Sequence, residues 1–153
     1  MPAHTFESLL RELSEKIQLP LESSSNNNIS LKLKDNEVVL QKDSKQPFLI
    51  ISFEIAEIPI GRYRENLLRE ALKFNALNQL HAGVFAFSKK EQKLILFEML
   101  PFSDISADQV FSIMQLLSEK VSLWKEALNR GNTPMIDPSS QARSGGGIFG
   151  IRP

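Results

Sequence analysis

The chain has 153 residues, 42% of them hydrophobic, with 18 basic and 18 acidic side chains and no cysteine. That length fits one domain able to bury about two-thirds of the surface its unfolded form exposes. The charge balance argues against nucleic acid and anionic membranes, which need a cationic surplus, and the lack of cysteine removes disulfides and thiolate-held zinc.

The N-terminus MPAHTFESLL has no basic stretch before an apolar core, so no secretion signal is read there. No apolar run approaches the length of a membrane span. A protein of the cytoplasm, without membrane insertion, is expected. Phe6, Leu9, Leu10, Leu13 and Ile17 recur at helical spacing, with a start at Ala3 to Thr5 and a stop at Pro20. Ser23 to Asn28 is a polar loop. Ile29, Leu31 and Leu33 alternate with polar residues as a strand with one wet face. Asp35-Asn36 is expected to turn the chain into a second strand at Val38-Val39-Leu40. The third strand, from Phe48 to Ile55, begins as a continuous apolar run, which predicts cover on both faces.

A second helix over Tyr63 to Leu80 carries Leu67, Leu68, Ala71, Leu72, Asn75, Ala76 and Leu80 on its main stripe. Phe74 and Leu77 lie off that stripe, so the helix has a second apolar face that invites a partner. Val84 to Phe87 and Leu94 to Phe97 predict a β-hairpin around a polar turn. Ser106 to Gln109 reads as a capping box for a third helix, Ala107 to Leu128, with Trp124 on its stripe and Gly131 as its stop. The expected organisation is one α+β domain over residues 1–131 and a flexible Gly/Pro/Ser-rich tail over residues 132–153.

Nothing in the chain has the spacing of a catalytic, cofactor or metal site. The two histidines, His4 and His81, have no metal-ligand companions at helical or turn spacing. Gly145-Gly146-Gly147 lacks the Lys-Ser/Thr and the helix start that a phosphate loop needs. Asp104, Asp108, Glu54 and Glu57 are explained by capping and solvation, and Lys89, Lys90 and Lys93 by a solvated turn. Asn75 stands out as an amide on an apolar stripe, to be satisfied by a neighbouring backbone or a helix–helix contact. In the tail, Ile148-Phe149-Gly150-Ile151 sets three large apolar residues after a glycine run.

The order helix, three antiparallel strands, helix, hairpin, helix resembles the class I type III secretion chaperones, the family of the Tir chaperone. The resemblance is carried by FESLLRELSEKIQLPL, LLREALKFNALNQ with Asn75, GVFAFSKKEQKLILFEMLP, and SADQVFSIMQLLSEKVSLWKEAL with its late tryptophan. It spans Phe6 to Leu128. Two features depart from the pattern: members are typically acidic where this chain is neutral, and the Gly-rich tail lies outside the shared core.

The resemblance implies a sandwich of sheet and helices, and a non-enzymatic homodimer that binds the N-terminal segment of secreted effectors and keeps it non-globular. It also implies delivery to the secretion apparatus, with the secretion ATPase or sorting components as further partners. For the effector, Leu10, Leu13, Leu31, Leu33 and Val39 are the expected groove residues, from the elements flanking the first sheet edge. For the dimer, Leu68, Leu72, Asn75, Ala76 and Phe97 are expected. The competing expectations are a small-molecule-binding or sensory α/β domain with a pocket under the third helix, and an enzyme whose site has no recognisable motif.

Overall fold

Thr5 opens helix α1 (Phe6–Ile17) with a reciprocal cap, its Oγ1 accepting from the Ser8 N–H and the Ser8 Oγ accepting from the Thr5 N–H. The computed structural model that supplies this geometry describes residues 5–19, 28–43, 45–77 and 82–132. Strands β1 (Asn28–Leu33), β2 (Asn36–Lys42) and β3 (Phe48–Glu57) follow. After them come α2 (Arg62–Ala76), β4 (Val84–Ser88), β5 (Lys93–Pro101) and α3 (Ala107–Asn129). The expected element order holds throughout. The capping box of α3 is present at Ser106 and Gln109.

The five strands form one antiparallel sheet in the order β1-β2-β3-β5-β4. Helix α3 lies on β2 and β3, α1 packs against α3, and α2 runs along β4. Residues of one parity point into this helix layer: Leu31, Val38, Leu40, Leu49, Ile51, Phe53, Leu94, Leu96 and Phe85 are buried. Trp124 closes the core at the far end of α3, its ring 4.2 Å from that of Phe85.

The structure corrects two local expectations. The β1–β2 turn is Lys34-Asp35, one residue earlier than read from the sequence, with φ of 50° and 68°. Two positive φ angles give the turn whose twist matches a right-handed strand pair. The apolar start of β3 has only one face under the helices. Leu49 and Ile51 are buried, whereas Phe48 and Ile50, pointing the other way, are partly exposed.

Moving the turn releases Asn36 for another task. It is the first residue of β2 and only 3% exposed. Its Nδ2 donates to the Ser118 carbonyl at 3.0 Å and to the Ser118 and Ser122 hydroxyls at 2.9 Å. Its Oδ1 accepts from Lys125 Nζ at 3.1 Å, while the Ser118 hydroxyl donates to the Leu33 carbonyl. One amide thus ties the β1–β2 hairpin to α3 in a place where unmade polar bonds would be costly.

Candidate partner-binding surfaces

The side of the sheet away from the helices carries the other parity of residues. Paired positions across it run Ser30, Val39, Ser52, Phe97 and Val84, with Gln41, Ile50 and Met99 in the row on one side and Glu54, Ile95 and Ala86 in the row on the other. The β1 and β2 end is polar, where Ser30 hydrogen-bonds Glu37. The β5 and β4 end is apolar: Val84 and Met99 are 43% and 41% exposed, and Phe97 and Ile95 are partly exposed beside them. At the border Lys93 pairs with Glu54 at 3.0 Å, and that hydrogen bond raises the lysine pKa.

Helix α2 extends this apolar region past the sheet edge. Asn75 Oδ1 accepts from the Phe85 N–H at 2.8 Å, and its Nδ2 donates to the Phe85 carbonyl at 2.9 Å. The side chain therefore does what a neighbouring strand would do, closing the β4 edge with α2. Buried against the core are Leu67, Ala71 and Phe74. The next stripe round the helix, Leu68, Leu72 and Ala76, is half-buried at Leu68 and exposed at Leu72 and Ala76. The main stripe read from the sequence is thus split: Leu67 and Ala71 take the inner side, joined there by Phe74, which was read as lying off the stripe, and Leu72, 67% exposed, takes the outer.

The five residues expected at the dimer contact therefore divide by role. Leu72 and Ala76 are open, Leu68 lies at their margin, and Phe97 sits on the open sheet face paired with Val84. Asn75 is engaged within the chain. Val84, Ile95 and Met99 were not singled out in the sequence, because only the register across β3, β5 and β4 brings them beside Phe97.

The residues expected to line an effector groove do not share one surface. Leu10 and Leu13 of α1 and Leu31 of β1 are buried in the chain's own core, since the apolar stripe of α1 is what seals it there. Leu33 is half-buried at the rim of that core, and Val39 lies on the opposite, open face. Ile29, half-buried beside Leu33 on the core side of β1, is a rim residue missed from the sequence.

What β1 does offer is backbone. The two-residue turn makes Leu33 and Asn36 a hydrogen-bonded pair, so Leu31 and Ile29 also bond to β2. Ser30 and Lys32 then turn their N–H and C=O groups outward. The same parity, carried across the sheet, turns the Phe85 groups outward, where Asn75 meets them. One sheet edge is closed by a side chain; among the described residues no strand pairs with the other.

A single titratable group near this region is strongly perturbed. Lys120 on α3 donates to the Ala82 carbonyl at 3.1 Å and stands 4.1 Å from the Phe74 ring centroid. Burial pushes its pKa down to about 8, partly opposed by the Glu98 carboxylate. The ordinary value near 10.5 applies once unfolded, so between pH 8 and 10.5 the unfolded chain holds more protons and stability rises with pH. Below pH 8 both states are charged and the full burial cost stands. The gain across the window is on the order of 1 kcal/mol, discounted because the ammonium is partly solvated. It is read as the difference in urea midpoint between the native chain and Lys120→Met, a difference that shrinks as pH passes through the window. A difference independent of pH would rule the assignment out.

Comparison with known proteins gives the family and the fold. The model of the Tir chaperone protein (CesT) family matches residues 8–125. No curated protein gives a significant sequence match. Among solved structures, the ExsC–ExsE complex superposes with a TM-score of 0.69 at 18% identity, covering 82% of this chain and 96% of that one. The HopA1–SchA chaperone–effector complex gives 0.66 at 20% identity, covering 80% and 94%. The Yersinia pestis type III secretion chaperone SycH, in complex with a fragment of YscM2, gives 0.60 at 18% identity, covering 78% and 98%.

Proposed function

Because the chain belongs to the Tir chaperone protein (CesT) family, we propose that it is a type III secretion chaperone. It binds the N-terminal chaperone-binding segment of secreted effectors, keeps that segment non-globular and hands it to the secretion apparatus. It acts by binding alone, as a homodimer in the bacterial cytoplasm, with the secretion ATPase or sorting components as later partners. The observation that carries this reading is the family match, which runs from within α1 to within α3 and takes in every element between them. No helix among the described residues is long and apolar enough to cross a membrane.

The two surfaces divide the work. The apolar region of α2, β4 and β5 serves self-association, and the β1 edge serves the client. A client strand laid along β1 bonds to Ser30 and Lys32, so affinity comes from backbone and asks little of client sequence. Alternate client side chains fall beside Ile29 and Leu33 on one side and Ser30 and Lys32 on the other. With a formal net charge of zero, the chain leaves apolar contact and backbone bonding to supply most of the affinity.

Co-purification from secreting cells tests the function as a whole: an effector's N-terminal segment should accompany the protein, and none appearing under secreting conditions would count against it. Lys32→Pro tests the edge. Proline there removes an outward N–H and leaves the bonds to β2, so folding should change by about 1 kcal/mol or less. Client affinity should fall about tenfold or more, the loss of roughly one backbone bond plus the steric block to the next. Full affinity in a folded Lys32→Pro protein would remove β1 as the client edge.

A further inference from the structure

Helix α3 carries two leucines that neither surface above uses. Leu116 and Leu123 are 48% and 65% exposed on the side away from the sheet. Seven residues apart, they fall on one stripe about 10 Å in length. Glu119 and Glu126 lie along one flank of that stripe, both exposed, Glu119 at 3.8 Å from Lys34 and Glu126 paired with Arg130, surface pairs that a further arginine can share.

The chain itself supplies an occupant of matching chemistry. Residues 133–147, TPMIDPSSQARSGGG, lead from the end of α3 to Ile148-Phe149-Gly150-Ile151, followed by Arg152. Along the helix, Leu123 is about 14 Å and Leu116 about 24 Å back from Asn132. A flexible chain of fifteen residues has a root-mean-square span of about 21 Å. That span falls between the two distances, the condition under which a tether gives its highest effective concentration, in the millimolar range. Three apolar side chains meet two leucines, and an arginine follows beside two carboxylates.

We propose that Ile148-Phe149-Gly150-Ile151 docks in cis on Leu116 and Leu123 of α3, with Arg152 beside Glu119 and Glu126. The tether lets so short a segment, weak as a free peptide, stay engaged. The docked tail covers the outer face of α3 and leaves the open sheet face and the β1 edge accessible. The inference does not depend on the chaperone reading.

The absence of cysteine makes the test direct. Pro153→Cys in the full chain takes one nitroxide label, and its relaxation enhancement is read on the amides of an isotope-enriched sample. The amides from Leu116 to Leu123 should broaden at least about fivefold more than those of β2, since the effect falls steeply with distance. Phe149→Asp and Leu123→Asp, each in the labelled chain, should both remove that excess; Leu123 is 65% exposed, and circular dichroism checks that each variant keeps the fold. Equal broadening on all surfaces, or a maximum at Val84 and Phe97, would overturn the proposal. So would an excess confined to mixtures of labelled and enriched chains, which would place the tail on a second copy.

Discussion

Leu72→Asp is expected to turn a dimer into a monomer at micromolar concentration while leaving the fold of each chain unchanged. Leu72 is 67% exposed in the chain by itself, so the substitution should cost each monomer about 0.5 kcal/mol or less. In a two-fold dimer the same surface is used by both copies, and the aspartate is introduced twice. At about 2 kcal/mol per copy, a moderate value for a buried contact at an interface, dissociation should strengthen roughly a thousandfold. Sedimentation velocity reads the mass, and circular dichroism reads the fold. A dimer that survives would move the interface away from α2, and Phe97→Asp would then tell whether the sheet face forms it alone.

Asn36→Ala is expected to lower the unfolding free energy by about 3 kcal/mol. The substitution removes four hydrogen bonds and strands groups along one helix, α3: the Ser118 carbonyl, the Ser118 and Ser122 hydroxyls, and the Lys125 ammonium one turn further on. Ser118 is fully buried, so solvent cannot readily replace its lost donor. The urea midpoint should fall with little change in slope, the sign of a native-state effect. Ser30→Ala, on the wet face of β1, should stay within about 0.5 kcal/mol as a control. A loss under about 1 kcal/mol for Asn36→Ala would mean that water takes over the amide's bonds.

The two substitutions also mark where sequence patterning stops being informative. Leu72 and Leu67 have the same side chain on the same helix, five residues apart, yet one is exposed and the other fully buried. Asn36 reads as a turn residue from its chemistry and its neighbour Asp35. It is instead a strand residue, because the turn formed one step earlier and carried it under α3. By contrast Thr5, Ser106 and Gln109 were legible as caps, since a cap is made within four residues of chain. Trp124 was legible as a core or interface residue from its helical stripe, and the structure buries it with Val121, Leu117 and Met114.

The candidate surfaces were only half legible for the same reason. Leu10 and Leu13 carry the pattern of a groove as well as of a core, and periodicity does not say which side of a contact is already filled. Phe97 gained meaning from Val84, Ile95 and Met99, which are distant in the chain or on alternate positions and meet through strand register. Asn75 could be read as a polar group needing partners, and the partners proved to be the Phe85 backbone groups left outward by that register.

By itself, then, the amino-acid order determined what short-range physics controls: where helices cap, where strands alternate, that no thiol chemistry exists, and that the pieces come in the order of a secretion-chaperone fold. The tertiary structure decided which of two apolar sides of α2 faces inward, which sheet face the helices leave uncovered, and which sheet edge has no strand paired with it among the described residues. Those outcomes depend on pairs of surfaces far apart in sequence. A residue's burial belongs to the contact it makes, and one strand of letters records only one side of that contact.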